Sequence, residues 1–396
     1  MNFRRSEMTR ITMRRLWWPL VLIVLLWTVG AAVRSGRAEQ ARETNPPAPA
    51  ATSTPGAGAA KAQTPDAQVF RADEVEAAAR TLPRLHSLII SRRGEVVFEG
   101  YYNGTRRDRP ANIKSTSKSI VSALVGAAIE RDLIPDVKTP IVTYFPELAR
   151  DADTRKRDIT VEHLLTMRPG LEGTSNRNYG AWVTSRNWVR HALARPMFAA
   201  PGEEMEYSTG NSHLLSAILT TATGKSTLQF ANEVLAKPLG FTLAPWPRDP
   251  QGIYFGGNDM LMTPRQMLAF GELYRNKGRA NGQQILSADW VDRSCEGRGR
   301  NRRPGNPAFD ANGGIDPMRD RRYGYGWWVY EIGDYEACFA WGYGGQYIFV
   351  LPALDLVVVT TSSPDVSDER RGHRRTVFEI LERLVVAPMA GSAATR

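Results

Sequence analysis

The pattern of apolar and polar residues divides the chain into two strand-rich ends and a helical middle. Two runs of β-branched and aromatic residues, His86–Ser91 and Glu95–Tyr101, are separated by Arg-Arg-Gly, which predicts a hairpin with glycine in the turn. Arg374–Val386 carries apolar residues at helical spacing. Between these segments, four more strands are predicted at Gly326–Ile332, Tyr335–Trp341, Gln346–Leu351 and Asp355–Thr361.

Helices are predicted between the two strand clusters. Leu214–Thr223 is one, and capping boxes that begin at Ser226 and Thr263 mark the starts of two more. Strands from both ends with helices between them predict an α/β fold of the α+β type. One antiparallel sheet is built from both termini and flanked by helices, and a mainly helical subdomain is inserted. Residues 296–322, rich in arginine, glycine, asparagine and aspartate, are predicted to form a long surface loop.

Residues 1–38 are predicted to be a signal anchor or a signal peptide. The run Leu16–Val33 contains about 18 residues without a charge, and five arginines precede it. An apolar run of this length is near the minimum for a membrane-spanning helix, and the arginines keep its start in the cytoplasm. We expect an uncleaved anchor in the inner membrane. Cleavage at a small-x-small site at residues 36–38 is the alternative.

Residues 39–69 are predicted to be a disordered linker, because their Ala/Pro-rich sequence offers few large apolar side chains to bury. The folded domain is then expected over residues 70–390. The direction of the anchor places this domain on the periplasmic side of the membrane, or free in the periplasm if the signal is cleaved. The membrane is therefore an expected partner, through the N-terminal segment.

The charge, the cysteines and the absence of cofactor-binding motifs indicate which partners and cofactors are expected. The net charge is +10, but residues 1–37 hold seven arginines against one glutamate, which leaves +4 for the remaining 359 residues. A nucleic-acid partner is therefore not expected. Cys295 and Cys338 are expected to be free thiols, with a disulfide in an oxidising compartment as the alternative. No zinc, P-loop or dinucleotide motif occurs, and no cofactor or metal is expected.

A Ser-His-Asp triad has little support in the sequence. The Gly-x-Ser-x-Gly motif around Ser212 is broken, because Leu214 replaces its last glycine. His163 and His213 each precede a Leu-Leu pair in predicted helices, where a packing or solvated role is expected.

The tetrad Ser115-Thr116-Ser117-Lys118 is followed by Ser119–Ile129, a run of eleven residues without a charge. Such a stretch predicts a helix buried on nearly all sides, with Ser115 and Lys118 on one face because residues i and i+3 are neighbours. Burial lowers the pKa of a lysine, which would let it accept the serine proton near neutral pH. For the tetrad alone, an N-cap serine followed by a solvated lysine is the alternative.

Two further segments could complete such a site. Tyr207 lies in a predicted polar loop, Tyr-Ser-Thr-Gly-Asn, and could transfer protons between the serine, the lysine and a leaving group. A packing role for a half-buried tyrosine is the alternative. The glycine-rich segment 342–346 adjoins a predicted strand. A free backbone N–H there could stabilise an oxyanion, and a β-bulge at this place is compatible with that role.

Taken in order, these segments resemble the serine hydrolases of the class C β-lactamase, DD-peptidase and esterase superfamily. They are most similar to its 6-aminohexanoate-oligomer (nylon-oligomer) hydrolases. The resemblance runs over about residues 80–385 and includes segments 159–166, 256–264 and 281–286. It implies a β-lactamase/transpeptidase-like fold.

The resemblance also implies roles for individual residues. Ser115 would be the acylated nucleophile, Lys118 its general base, and Tyr207 the acid that protonates the leaving group. Backbone N–H groups of Ser115 and of the strand at Gly345 and Gln346 would bind the oxyanion.

Two positions depart from the motifs of this superfamily. Thr209 stands where the Tyr-x-Asn motif has its amide, and Tyr343 stands where the Lys-Thr-Gly motif has the lysine that meets a substrate carboxylate. Both changes disfavour an efficient β-lactamase or penicillin-binding protein. A hydroxyl at position 209 fits the nylon-oligomer hydrolases and esterases better. By their motif positions, Thr209 and Tyr343 are both expected to bind substrate. Tyr179, in the predicted loop Asn176–Thr184, could line the acyl pocket or pack at the surface.

The resemblance implies a hydrolase that cleaves a linear amide or ester, in a small molecule or short peptide, through an acyl-enzyme. One alternative is a DD-peptidase or weak β-lactamase acting on cell-wall peptides or β-lactams. The other is a non-catalytic binding module with the penicillin-recognising fold. The natural substrate and the oligomeric state are left open.

Overall fold

The fold is built on the antiparallel sheet that the sequence predicts from the two ends of the chain. The computed structural model describes residues 71–300, 321–367 and 369–393. The predicted anchor and linker, residues 1–38 and 39–69, lie outside these ranges. Within them, no helix has both the length and the apolar character needed to cross a membrane.

Eight strands form the main sheet in the order β2-β1-β12-β11-β10-β9-β8-β7, with antiparallel neighbours throughout. All six predicted strands are present, with bounds within two residues of those expected. The strands of this sheet are β1 Leu85–Arg92, β2 Glu95–Tyr101, β7 Gly299–Arg300, β8 Arg322–Tyr323, β9 Trp328–Ile332, β10 Tyr335–Gly342, β11 Gln346–Leu351 and β12 Leu356–Ser362. Two-residue strands pair outside it: β3 Ala111–Asn112 with β4 Leu261–Met262, and β5 Arg279–Ala280 with β6 Gln283–Gln284.

The central strands are buried on both faces, because helices cover each side of the sheet. Along β12, Val357 and Val359 belong to the core shared with the helical subdomain, whereas Leu356 and Val358 belong to a second core under the terminal helices. This alternation follows from the two-residue period of a strand. It explains why β11 and β12 are continuous apolar runs.

The helices divide between the inserted subdomain and the terminal layer. They are α1 Ala72–Arg80, α2 Ser117–Ile129, α3 Val161–Leu165, α4 Tyr179–Val183, α5 Trp188–Leu193, α6 Thr209–Thr223, α7 Thr227–Ala231, α8 Pro264–Arg275, α9 Ala288–Cys295, α10 Arg370–Glu379 and α11 Ala387–Ala393. A π-helical segment, Ile380–Val386, joins α10 to α11. The capping boxes predicted at Ser226 and Thr263 are confirmed, at the starts of α7 and α8.

Two predicted loops are wrong in part. Helix α6 begins at Thr209, although Thr209–Asn211 was predicted to be loop. The cause is a cap supplied from another segment: Ser175 Oγ and Thr174 Oγ1 accept hydrogen bonds from the backbone N–H groups of Thr209 and Gly210. The predicted loop Asn176–Thr184 likewise forms a 3-10 turn followed by α4.

Two short strands begin within the predicted surface loop 296–322, which corrects that prediction in part. Gly299–Arg300 pairs with Arg322–Tyr323 at the edge of the main sheet. Residues 301–320 lie outside the described ranges.

Cys295 and Cys338 form a disulfide, which corrects the expectation of free thiols. The bond joins the last residue of α9 to the middle of β10, with a Cα–Cα distance of 5.4 Å across 43 residues of sequence. A spacing of this size says nothing about proximity, so only the packing of α9 against the sheet decides the pairing.

Removing this disulfide is expected to destabilise the domain without changing its fold. Closing a loop of 43 residues restricts the unfolded chain by up to about 4 kcal/mol, and native disulfides usually contribute about 2–4 kcal/mol. The double variant Cys295→Ala/Cys338→Ala should therefore unfold at a clearly lower denaturant midpoint than the oxidised wild type. Dithiothreitol should lower the wild-type midpoint by a similar amount and leave the variant unchanged. Equal midpoints for the oxidised wild type and the variant would contradict the expectation.

Candidate active site

Ser115 lies at the entry to a buried helix. It sits in the 3-10 turn Lys114–Thr116, which runs directly into α2. Every residue of α2 from Ser117 to Ala128 is buried, as the uncharged run after Lys118 predicts. Lys118, on the first turn of α2, donates from Nζ to Ser115 Oγ at 3.1 Å. The serine and the lysine are therefore neighbours, as their spacing predicts.

The Lys118 amine is almost completely withdrawn from solvent. The residue is only 2% exposed, and Nζ also donates to the carbonyl oxygen of Gly257 at 2.6 Å. Burial lowers the pKa of Lys118 to about 7, and the nearby Asp259 carboxylate partly opposes this shift. A large fraction of Lys118 is then neutral near pH 7 and able to accept a proton.

The segment Gly256–Asp259 contributes to the site, although sequence analysis assigned it no role there. A Cβ on Gly257 would lie 2.7 Å from Thr209 Cγ2 and 3.3 Å from Lys118 Nζ, so only glycine fits. Asp259 accepts from Lys114 Nζ at 3.0 Å and from Asn112 Nδ2 at 2.9 Å. The signal available in the sequence was a glycine pair followed by Asn-Asp just before a capping box.

Lys114, which directly precedes Ser115, has an unusual backbone conformation. Its φ of 49° lies in the left-handed region, which costs a non-glycine residue about 1 kcal/mol or more. The ion pair with Asp259 and a hydrogen bond from its backbone N–H to Asn112 Oδ1, at 3.0 Å, hold it there. The turn that presents Ser115 is thus fixed from the β3–β4 side of the site.

Tyr207 completes the cluster around Ser115. Lys118 Nζ lies 5.0 Å from the centre of its ring, which stacks on Trp328 at 5.5 Å and meets Tyr323 edge-on at 6.0 Å. Burial raises the pKa of Tyr207 above its usual value, and a hydrogen bond with the Ser115 side chain partly offsets this rise. The phenol is therefore neutral at pH 7 and holds a proton that it can donate.

Thr209 and Tyr179 both lie beside the Gly256–Asp259 segment. Thr209 Oγ1 is 2.9 Å from Ser175 Oγ, and its methyl group faces Gly257. The Tyr179 hydroxyl accepts from Asn258 Nδ2 at 3.3 Å, and burial raises the pKa of this tyrosine. The structure thus brings both residues to the Lys118 side of the site, and their contact with substrate stays a prediction.

Gly345 and Gln346 are held by the sheet at the turn between β10 and β11. The Gly345 N–H donates to Gly342 O at 3.3 Å, and its carbonyl accepts from Thr360 Oγ1 at 2.9 Å. The Gln346 carbonyl accepts from Thr116 Oγ1 at 3.1 Å, which ties β11 to the turn that carries Ser115. An oxyanion role for this strand stays a prediction.

At the end of β10, the side chain of Tyr343 is exposed, whereas the neighbouring Gly342 packs closely against the turn that carries Ser115. Tyr343 is 37% exposed, and the Arg370 guanidinium lies 4.3 Å from the centre of its ring. A Cβ on Gly342 would lie 2.2 Å from the carbonyl oxygen of Ile113 and 3.1 Å from Thr116 Oγ1. Gly342, which belongs to the predicted glycine-rich segment, is therefore a close neighbour of the Ser115 turn.

The two histidines that adjoin Leu-Leu pairs were predicted to pack or to face solvent, and both form hydrogen bonds. His163 forms a capping box with Thr160 at the start of α3. His213 is fully buried in α6 and bonded to Asp249. Within residues 71–300, 321–367 and 369–393, no group of three or more His, Cys, Asp or Glu side chains is arranged to hold a metal ion.

Curated relatives of this chain are hydrolases. The 6-aminohexanoate-dimer hydrolase of Paenarthrobacter ureafaciens is 25% identical over 302 residues, which cover 72% of this chain and 74% of that protein. The D-alanyl-D-alanine-carboxypeptidase/endopeptidase AmpH of Escherichia coli K12 is 25% identical over 199 residues, covering 47% of this chain and 51% of that protein.

Solved structures share the fold. Simvastatin synthase (LovD) from Aspergillus terreus matches with a TM-score of 0.61 and 18% identity, covering 80% of this chain and 98% of that one. A penicillin-binding protein homologue from Caulobacter crescentus matches with a TM-score of 0.60 and 17% identity, at the same coverages. These likenesses confirm the predicted β-lactamase/transpeptidase-like architecture.

Residues 84–382, about three quarters of the sequence, match the Beta-lactamase family. This match spans the main sheet from β1 to β12 and the whole inserted subdomain. The family resemblance noted in the sequence is thereby confirmed, and the chain belongs to the Beta-lactamase family of serine hydrolases.

Proposed function

We propose that this protein hydrolyses a linear amide or ester through an acyl-enzyme formed on Ser115. The observation that carries the proposal is the contact between Ser115 Oγ and a lysine amine that burial keeps substantially neutral near pH 7. A neutral amine at 3.1 Å is positioned to take the hydroxyl proton as the oxygen attacks a carbonyl carbon.

The proton transfers balance over the two half-reactions. Ser115 Oγ bonds to the substrate carbonyl carbon while its proton moves to Lys118 Nζ. As the tetrahedral intermediate collapses, Tyr207 gives its phenolic proton to the departing nitrogen or oxygen, and Lys118 returns a proton to the phenolate. Water then attacks the ester on Ser115, giving up one proton through the same pair while Ser115 Oγ regains one.

Two residues that differ from the superfamily motifs, and the similarity to known hydrolases, support a choice of substrate class. Tyr343 replaces the lysine of the Lys-Thr-Gly motif, and Thr209 replaces the amide of Tyr-x-Asn. These changes, together with the similarity to a 6-aminohexanoate-dimer hydrolase, favour a linear amide or ester over a β-lactam. Similarity to AmpH over about half of each chain keeps a cell-wall peptide as the second candidate substrate.

We also propose that the domain works on the periplasmic side of the inner membrane, tethered by the N-terminal segment or released from it by cleavage. The arginine-flanked apolar run supports this location. The Cys295–Cys338 disulfide supports it independently, because such bonds persist in oxidising compartments.

Replacing the nucleophile should abolish turnover. Ser115→Ala is expected to reduce hydrolysis of a short-chain nitrophenyl ester and of the 6-aminohexanoate linear dimer to background, by at least about 10³-fold. The matched control is Ser122→Ala on the same helix, where the buried hydroxyl has no hydrogen-bond partner among the described residues. This control should retain activity.

The panel should also contain a D-Ala-D-Ala peptide and a chromogenic cephalosporin. Wild-type rates in Ser115→Ala would overturn the mechanism. Cleavage of the peptide or the cephalosporin alone would move the assignment to the second candidate. A folded wild type that cleaves nothing and takes no label from a serine-directed phosphonate would instead indicate a binding module.

The pH dependence of kcat/KM should report Lys118. Because the base must be neutral, kcat/KM for a neutral ester should rise with pH and level off above a pKa of about 7. Below that pH the amine is protonated and cannot accept the serine proton. Asp259→Asn should move this limb to lower pH, since the Asp259 carboxylate raises the pKa of Lys118. A limb that is absent, or that stays in place in the variant, would contradict this assignment.

A further inference from the structure

A buried histidine–aspartate pair lies behind the candidate base. His213 Nε2 and Asp249 Oδ2 are 3.0 Å apart, and both side chains are fully inaccessible to solvent. The other carboxylate oxygen of Asp249 accepts the backbone N–H groups of Gln251 and Ile253, each at 2.9 Å. The pair therefore anchors the segment that runs from residue 249 towards Gly257.

The second ring nitrogen of His213 also has a partner. The Gly256 N–H donates to His213 Nδ1 at 3.4 Å. Because Nδ1 must offer a lone pair to this donor, the ring proton belongs on Nε2 and is donated to Asp249. Both nitrogens of the ring are thus used in one defined arrangement.

The residue that His213 bonds, Gly256, directly precedes the residue that bonds Lys118. The carbonyl of Gly257, the next residue, accepts from Lys118 Nζ at 2.6 Å. Gly256 itself has no freedom to shift towards α6, because even a Cβ there would lie 2.2 Å from the Ser212 carbonyl oxygen. Movement of this glycine pair would carry the acceptor of the lysine with it.

One face of α6 organises this contact. Thr209, His213 and Ser216 follow one another at helical spacing, and each meets the segment 254–257. Thr209 packs on Gly257, His213 accepts from Gly256, and Ser216 Oγ donates to the Tyr254 carbonyl at 2.7 Å. The same helix begins two residues after Tyr207.

We infer that His213, oriented by Asp249, is a positioning residue that holds the Gly257 carbonyl and through it the Lys118 amine against Ser115. This inference rests on the proposed role of Lys118 as the general base. Contacts with Trp182, Trp188 and Phe255 would bury any ring of this size at position 213. A role in packing alone would not require either ring nitrogen of His213. Holding the Gly256–Gly257 backbone in place, however, requires Nδ1 to accept the hydrogen bond from Gly256.

Two amide substitutions, each of which can replace only one ring nitrogen, separate the functions of the two nitrogens. In His213→Gln, the amide nitrogen can replace Nε2 and donate to Asp249, but nothing accepts from Gly256. In His213→Asn, the amide oxygen can replace Nδ1 and accept from Gly256, but Asp249 loses its side-chain donor. The glutamine variant should therefore be the more stable of the two, and the asparagine variant the more active per folded molecule.

The measurements are kcat, KM, the pH profile and the denaturant midpoint of wild type and both variants, with a neutral nitrophenyl ester as substrate. His213→Gln should lower kcat by about 10- to 100-fold with little change in KM, the usual effect of displacing a catalytic group by a fraction of an ångström to 1 Å. Its acid limb should move to lower pH, because the protonated amine loses a carbonyl acceptor. His213→Asn should recover most of the lost kcat while unfolding at a lower midpoint.

Two results would overturn the inference: a glutamine variant with wild-type kcat and pH profile, or equal losses of kcat in both variants that follow their losses of stability. Failure of the proposed function is distinguishable, because the wild type itself would then be inactive or Ser115→Ala would remain active.

Discussion

The desolvated amine of Lys118 is the constraint on which the rest of the site depends. A lysine opens a helix whose other residues are uncharged and buried, so its charged form has lost most of its hydration. That loss makes the amine available as a base. The amine contacts Ser115 Oγ and the Gly257 carbonyl, and these two hydrogen bonds determine its position and orientation.

The fold delivers those groups from separate parts of the chain. The turn before α2 presents Ser115, the segment before α8 presents Gly257, and the start of α6 places Tyr207 against Trp328 of β9. One face of helix α6 bonds residues 254–257, and the helix begins two residues after Tyr207.

Much of the architecture was predictable because it depends on interactions between residues close together in the sequence. Strands β1, β2 and β9–β12 combine β-branched and aromatic residues with short turns that contain glycine or proline. The capping boxes at Ser226 and Thr263 mark helix starts through contacts three residues apart. The pairing of Ser115 with Lys118 is equally local, since a spacing of three places both on one helix face. The first turn of α6 was missed because its caps come from Thr174 and Ser175, far away in sequence.

The sequence by itself determined the six longer strands of the main sheet, the contact between Ser115 and Lys118 and the family resemblance, all of which depend on short spacings or on motif order. Only the tertiary structure decided that Cys295 meets Cys338, that Gly257 and Asp259 surround the lysine, and that both nitrogens of His213 are occupied. The physical reason is the range of each interaction. Helical periodicity acts over one turn, whereas these contacts join residues at least 36 positions apart in the sequence and exist only when the sheet and the inserted helices pack together.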